Sequence, residues 1–260
     1  MKCGLRKMIK FVILLILLTS IACSSHKFAS NMAMDERFEV AMKLLEKGDY
    51  LGAKTQFTIL VLNYPGTQIA DKAQFYLAES HFGLKEYIIA ASEYEKLGRN
   101  YPQSDLVDDA QYKIGLSYYK LSPGYALDQN YTIQAVKEFQ TFLEEFPTSD
   151  IRPKVEELLT TSRNKLAKKE FKAANLYRKM GHYNAAIIYF NEFLKVYYDT
   201  DFAEEALFRK GESLNKVENW EEAQKTFEEF VKKYPDSKYI PLAYDSLNLL
   251  KSKIPTNGGK

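Results

Sequence analysis

The chain has 260 residues, of which 46% are hydrophobic and 27% are charged, with 36 Lys and Arg against 34 Asp and Glu. This composition is too apolar for a disordered chain and too mixed for a protein with many membrane spans. The near-balanced charge lacks the basic footprint of a nucleic-acid-binding protein, so we expect no nucleic acid as a partner. The remaining expectation is a folded body with an apolar core.

Residues 1–22 have the features of a signal peptide. Basic residues precede an aliphatic run from Phe11 to Leu18, which is shorter than the stretch of about 20 residues that a membrane-spanning helix needs. Ala22-Cys23 then resembles the lipobox of bacterial lipoproteins, with Ser20 where that motif usually has Leu. The resemblance implies cleavage before Cys23 and its modification with acyl chains such as palmitate. An ordinary secretory signal followed by a chance cysteine is the alternative.

A short polar tether follows the predicted cleavage site, over residues 23–34. Ser24 follows the cysteine, and the absence of Asp at that position implies sorting to the outer membrane, on its periplasmic face. Cys3 is the only other cysteine and lies in the segment to be removed. The mature chain therefore has neither an internal disulfide nor a cysteine metal cage.

A pattern of about 37 residues recurs along the rest of the chain. It consists of an alanine, an aromatic residue one helical turn later and a final position that is proline in all copies except the fourth: Ala53, Phe57, Pro65; Ala90, Tyr94, Pro102; Ala135, Phe139, Pro147; Ala186, Phe190, Tyr198; Ala223, Phe227, Pro235. A small residue lets two helices approach, the aromatic fills the space beside it, and proline ends the second helix. The pattern resembles the tetratricopeptide repeat. We therefore expect an all-α superhelix of five helix-turn-helix units plus a C-terminal capping helix at about residues 238–253.

Two departures from the period organise the chain further. Residues 121–130 lengthen the turn inside the third unit and predict a protruding loop. Residues 151–180 contain no Gly and only one early Pro, which predicts that the first helix of the fourth unit is extended by roughly four turns. The predicted regions are the signal peptide (1–22), the lipidated tether (23–34), N-terminal repeats one to three (35–147), C-terminal repeats four and five with the capping helix (148–253) and a tail (254–260).

The first helix of each unit is expected to face the concave side of the stack, where a ligand would bind. One position on these helices is aromatic in all units: Phe38, Phe75, Tyr112, Phe171 and Phe208. We expect repeats one to three to hold an apolar or aromatic peptide segment through Phe38, Met42, Leu45, Phe75, Phe82, Tyr112, Leu116 and Tyr119. The later repeats would dock a more polar partner through Arg178, Phe208 and Asn215. For each aromatic residue, packing against the next repeat is the alternative.

The long helix also carries a cationic face, formed by Arg163, Lys165, Lys168, Lys169 and Lys172. Such a face is either a solvated surface or a docking surface for an acidic partner domain.

No catalytic or metal-binding constellation is present in the sequence. The three histidines, His26, His81 and His182, lie far apart in the chain, and no nucleophile motif or phosphate-binding loop occurs. Adjacent acids such as Glu144-Glu145 point about 100° apart on a helix and cannot flank one substrate atom. We expect neither an enzyme nor a cofactor or metal.

The lipobox, the repeats, the long turn and the long helix together resemble the outer-membrane protein assembly factor BamD (ComL-like) family. Three stretches carry this resemblance most clearly: Asp49-Tyr50 with Ala53, Phe57 and Pro65; Asp128-Gln129 ahead of Thr132, Ala135 and Phe139; and Asn100 to Asp105. The resemblance implies a lipid-anchored scaffold of the machinery that inserts β-barrel proteins. Its N-terminal repeats would receive unfolded outer-membrane β-barrel proteins, and its C-terminal repeats would contact a BamA-like barrel core subunit.

Two other functions stay open at this point. One is a periplasmic coordinator of envelope constriction or peptidoglycan synthesis, similar to YbgF-like proteins, although those usually carry an N-terminal coiled coil and no heptad run occurs here. The other is a lipid-anchored cell-wall enzyme with a repeat region, which would need a catalytic domain for which no residues remain.

Overall fold

The computed structural model describes residues 32–254, and this part of the chain folds into helices only. In chain order they are α1 (Met34–Glu46), α2 (Tyr50–Asn63), α3 (Ala70–Gly83), α4 (Tyr87–Asn100), α5 (Val107–Leu121), α6 (Asn130–Glu145), α7 (Arg152–Lys179), α8 (Tyr183–Val196), α9 (Ala203–Lys216), α10 (Trp220–Lys233) and α11 (Ile240–Lys253). Each helix packs chiefly on its neighbours in the chain, so the stack grows in one direction. The predicted tetratricopeptide-repeat fold, with α11 as its cap, is confirmed. The predicted signal peptide and Cys23 lie outside the described residues.

The turn inside four of the hairpins is the same tight structure. It consists of a residue with left-handed backbone, a residue that precedes the second helix, and an aromatic residue that begins it. The left-handed residues are Gly48, Lys85, Gly181 and Glu218, with φ of 76°, 62°, 81° and 60°. Glycine adopts this conformation without steric cost, whereas Lys and Glu are disfavoured there by roughly 1–2 kcal/mol. The turn is therefore retained even where the sequence does not suit it.

The core of each hairpin is a small residue on the first helix facing the repeat aromatic on the second. The small residues are Ala41, Ala78, Gly115, Ala174 and Gly211, and the facing aromatics are Phe57, Tyr94, Phe139, Phe190 and Phe227, all of them buried. A Cβ atom on Gly115 would lie 2.6 Å from the ring of Phe139, and one on Gly211 would lie 2.8 Å from the ring of Phe227. These two hairpins are thus closed as tightly as glycine permits.

Serine side chains join successive repeats on the side of the stack where the prolines lie. Ser104 Oγ donates to Asp71 at 2.6 Å, and Ser149 Oγ donates to Asp108 at 2.7 Å. In each pair the serine stands two residues after a repeat proline and the acid lies in the first turn of the preceding first helix. The Pro-x-Ser spacing therefore has a structural role, which is to fix the stagger between neighbouring hairpins.

Helix α7 has 28 residues against 14 in α9, which confirms the predicted extension. Its N-terminal part packs under repeat three, where Val155 joins the cluster of Phe139 and Phe142. Its C-terminal part is the first helix of repeat four, where Phe171 packs on Phe190. The N-terminal part of α7 therefore stacks on repeat three as the first helix of a further repeat would, and it continues directly into the first helix of repeat four without an intervening second helix.

The loop predicted over residues 121–130 spans residues 122–129 between α5 and α6, and it folds back on α7 instead of protruding. Lys165 Nζ donates to Ser122 Oγ at 2.7 Å, and Lys169 Nζ donates to the carbonyl oxygen of Leu127 at 2.8 Å. Lys168 Nζ lies 4.6 Å from the ring centroid of Tyr125. Burial lowers the pKa of Lys165, as expected for an amine enclosed by this contact.

Most of the cationic face of α7 is therefore engaged within the molecule. At its other end, Arg163 Nη2 donates to Asp199 at 2.7 Å and to the carbonyl oxygen of Val196 at 2.9 Å. Of the five cations, Lys172 is the one that lies exposed. Neither a solvated face nor a free docking surface describes this helix, because its cations hold the loop and the following repeat.

The Gly115–Phe139 contact leads to a stability prediction. Gly115→Ala should lower the free energy of unfolding by about 1–3 kcal/mol, since the added methyl group overlaps a buried ring. Gly98→Ala is the matched control: nothing lies within 4 Å of its added Cβ, and it should stabilise helix α4 by about 1 kcal/mol. Urea unfolding followed by circular dichroism measures both, and equal effects would contradict the tight closure.

A second prediction concerns the left-handed turn residues. Lys85→Gly should raise the free energy of unfolding by about 1 kcal/mol, because glycine removes the steric cost at positive φ. Lys120→Gly, at an exposed position in the last turn of α5, should instead lower stability. Thermal melts of the two variants are compared with the parent chain, and a destabilised Lys85→Gly variant would refute the reasoning.

Candidate functional site

The row of aromatic residues predicted to line the concave side lies mostly inside the stack. Phe75 is 8% exposed, Tyr112 is 4% exposed and Phe208 is 1% exposed, while Phe38 is half-buried. Each of these rings belongs to a core cluster, or packs against one, formed with its own second helix and the next repeat. The structure thus places these aromatic rings in the packing between hairpins. A role for Phe38, Phe75 and Tyr112 in binding stays a prediction.

The remaining predicted groove residues are half-buried and form what we call the inner row: Met42, Leu45, Phe82, Leu116 and Tyr119. They are spaced one or two helical turns beyond the buried aromatics, so each has one side against a core cluster and the other toward solvent. The structure therefore splits the predicted groove set into two layers. Within the predicted groove set, the inner row and the half-buried Phe38 are the residues that leave apolar surface exposed.

An ion pair lies beside the inner row in repeats two and three. Lys113 Nζ is 2.5 Å from Glu79 Oε1 and 5.1 Å from the ring centroid of Phe82. The hydroxyl of Tyr94 donates to the same Glu79 carboxylate. Burial, followed by the Glu79 charge, raises the pKa of Tyr94, which keeps this hydroxyl protonated as a donor. The apolar surface is thus interrupted by a half-buried, neutralised charge pair.

The comparison of equivalent positions in the repeats does not predict the ion pair between Lys113 and Glu79. Lys113 and Glu79 occupy different positions on successive first helices, so no single row of the repeat contains both. A search for opposite charges on adjacent first helices would have found them. This signal depends on the inter-repeat stagger as well as on the period.

The C-terminal repeats carry a polar network at the corresponding place. Arg178 Nε donates to Asn175 at 2.8 Å, and Glu212 accepts from Arg209 Nη1 at 2.9 Å and lies 3.6 Å from Arg178 Nη1. A cavity of about 180 Å³ lies next to it, with Arg178 and Asn215 among its lining residues. The structure brings these two predicted docking residues together.

The third predicted docking residue, Phe208, is not part of that cavity. Its ring stacks on Tyr239 at 4.7 Å and meets Phe227 edge-on at 5.7 Å, inside the core of repeat five. Phe208 is therefore a core residue of repeat five in this structure. A direct contact of Phe208 with a partner stays a prediction.

Residues 32–254 contain no group of three or more His, Cys, Asp or Glu side chains that could hold a metal ion. Over the same range, no helix has both the length and the apolarity to cross a membrane.

Similar proteins were found at the level of sequence and of fold. The sequence pattern of the family described as "Outer membrane lipoprotein" (YfiO) matches residues 30–218, and a tetratricopeptide repeat matches residues 205–237. The outer membrane protein assembly factor BamD of Rickettsia prowazekii (strain Madrid E) is 26% identical over 224 residues, covering 85% of this chain and 89% of that protein.

Among solved structures, the TPR2AB domain of yeast Sti1 in its complex with pHSP90 is 16% identical, with a TM-score of 0.46, and covers 85% of this chain and 83% of its own. A thermophilic TPR protein of Thermus thermophilus is 15% identical, with a TM-score of 0.36, and covers 84% of this chain and 100% of its own. The family pattern matches residues 30–218, which is more than half of the chain. On that ground, this protein belongs to the outer membrane lipoprotein family YfiO.

Proposed function

We propose that this protein is a lipid-anchored scaffold of the machinery that assembles β-barrel proteins in the outer membrane. The observation that carries the proposal is the family match over residues 30–218, together with a BamD relative that aligns over most of both chains. A stack of helical hairpins also suits a scaffold, because it offers extended surfaces to partner proteins.

The anchor in this proposal is Cys23, acylated after removal of residues 1–22. The tether from residue 24 to the first helix at Met34 could span roughly 30 Å if extended. Anchoring in the outer membrane restricts the protein to the layer where barrels are inserted and raises its effective concentration there. Two or three acyl chains suffice for stable attachment, whereas one is marginal.

Repeats one to three, residues 35–147, would bind the unfolded β-barrel protein, which we call the client. The inner row presents half-buried aliphatic and aromatic surface, which suits a terminal strand of an unfolded barrel with alternating apolar residues. Covering such a strand protects an unpaired edge from aggregation until the barrel core subunit pairs it. A few partly desolvated anchors would supply most of the affinity.

Repeats four and five, with the capping helix, would dock the BamA-like core subunit. The cavity at Arg178 and Asn215 offers a guanidinium, an amide and the Glu212 carboxylate, which together suit a polar, hydrogen-bonding partner surface. This division places client and core subunit on different halves of one stack. The scaffold would then act by proximity and orientation, without chemistry of its own.

Depletion of the protein tests this function directly. We expect outer-membrane barrels to disappear from the membrane fraction and the remaining copies to lose the heat-modifiable mobility of folded barrels, as measured by membrane proteomics and unheated gel electrophoresis. Re-expression of the chain should restore both. Normal barrels together with chaining cells would instead support a coordinator of envelope constriction and would refute the proposal.

The inner row can be tested with less disturbance of the core than replacement of the buried aromatics would cause. Met42→Ser combined with Leu116→Ser should weaken binding of synthetic C-terminal segments of outer-membrane barrels by about tenfold, since two apolar contacts are lost. Phe75→Ala is a poor choice, because deleting a buried ring costs about 3–5 kcal/mol of stability. Fluorescence anisotropy of labelled peptides measures the affinity.

Leu62→Ser provides the control for this experiment. Leu62 is 71% exposed on α2, outside the inner row, so its replacement should change neither peptide affinity nor helicity. Unchanged affinity in the Met42/Leu116 variant would remove the inner row from the client site.

A further inference from the structure

A groove lies between α8 and α10 in the C-terminal half, and its bottom is formed by α9. We call it the outer groove, and it has a volume of about 480 Å³. Its lining includes Ile188, Tyr198, Leu207, Lys195, Lys210 and Lys233. It is formed mainly by the second helices of repeats four and five, whereas the inner row lies on first helices. It also shares none of the residues that line the cavity at Arg178.

The outer groove has an apolar floor and apolar residues on one of its two sides. Leu207 is buried at the bottom, and Ile188 and Tyr198 are 62% and 60% exposed on one side. Large apolar side chains that are exposed together around a recess are typical of an interaction site. The groove therefore offers apolar surface in a form that a protruding side chain could fill.

Tyr198 is the residue that replaces the repeat proline. The backbone before it, at Tyr197, has φ of −117° and ψ of 30°, close to the −134° and 57° of Tyr101 that precede Pro102 in repeat two. The residues before the other repeat prolines have a similar backbone, so position 198 resembles positions that proline occupies in this fold. The fold does not require tyrosine there, yet its exposed ring lines the groove.

The outer groove carries a small excess of positive charge. Lys195, Lys210 and Lys233 face two carboxylates, Glu192 and Glu229. Lys195 pairs with Glu192 at 2.6 Å, but both side chains are about two-thirds exposed, so this pair is weak and opens readily. An incoming carboxylate would therefore meet a local excess of cations.

A second groove, between α4 and α6, occupies the equivalent place in repeats two and three, and we call it the sister groove. Comparison of the two grooves shows that the repeat fold does not require lysines at this place. The sister groove has a similar volume, about 400 Å³, and is lined by Glu95, Glu138 and Glu145. In the repeat register, Glu145 stands where Lys233 stands and Gln111 stands where Leu207 stands. The Gln111 amide is already engaged, donating to Glu138 at 3.0 Å. Arg99 and apolar residues such as Ile114 also line the sister groove, so the two recesses differ in the excess of glutamates in one and of lysines in the other, and in Gln111 against Leu207.

We propose that the outer groove binds an acidic segment of a partner protein, which places a large apolar side chain on the floor at Leu207 and directs carboxylates toward Lys210 and Lys233. A protein segment fits better than an anionic bilayer, because the floor is recessed between two helices and a flat surface cannot reach it. The site shares no residue with the inner row or with the cavity at Arg178. It stands on its own contacts, whichever function the repeats serve.

Site-specific photocrosslinking in the full-length, membrane-anchored chain tests the proposal. Tyr198→p-benzoylphenylalanine places the probe in the outer groove, and Glu145→p-benzoylphenylalanine places it in the sister groove. We expect the Tyr198 probe to yield a protein adduct that maps to a stretch with net negative charge and a large apolar residue. Adding Lys210→Glu and Lys233→Glu should reduce this adduct by about tenfold, and the adducts of the sister-groove probe should not change.

A second measurement uses the mapped stretch as a synthetic peptide. Its affinity for the otherwise unmodified chain should fall in Tyr198→Pro, which removes the ring and keeps a backbone that the sister repeats already tolerate. It should also fall as salt concentration rises. Adducts to lipid alone, adducts to neutral or basic segments, no adduct above that of the sister groove, or an adduct insensitive to the charge reversals would each overturn the proposal.

Discussion

The close contact between a small residue on one helix and an aromatic ring on the next is the constraint on which the stack depends. In repeats three and five this contact is so tight that Gly115 and Gly211 leave no room for a methyl group. Once the first helix is pressed against the ring, the hairpin angle is set and the next hairpin can only stack on the exposed side. The surfaces on which partners would bind are therefore consequences of packing inside the hairpins.

Charged side chains have a different role on α7 and on the helices that follow it. On α7, Lys165 and Lys169 are used to hold the long turn of repeat three, and Arg163 holds the junction after α8. Further along, Lys210 and Lys233 border a recess instead of bracing a loop. A cationic stretch in the sequence thus says little about docking until the internal acceptors of each cation are known.

The sequence predicts the hairpins, their order and the length of α7, because a small residue, an aromatic and a proline at fixed spacing specify local packing directly. It does not predict which helical row stays open. Phe75 and Phe82 are both aromatic on the same helix, but only the stacking of the next repeat decides that Phe75 is enclosed and Phe82 is half-buried. Likewise, Gly48 and Gly181 signal a left-handed turn, whereas Lys85 and Glu218 adopt it without any local signal, because the shared hairpin geometry overrides their preference.

The length of α7 determines how the two halves face one another. It exceeds α9 by 14 residues, and at about 100° per residue this addition ends some 40° short of four complete revolutions. The apolar stripe that serves repeat three is consequently almost in phase with the stripe that serves repeat four, about 20 Å further along the axis. Insertion or loss of a single residue in this helix would turn one half against the other by more than a quarter of a circle. Evolution of this linker is therefore expected to proceed by whole turns, with the relative azimuth of the two halves conserved even where their separation changes.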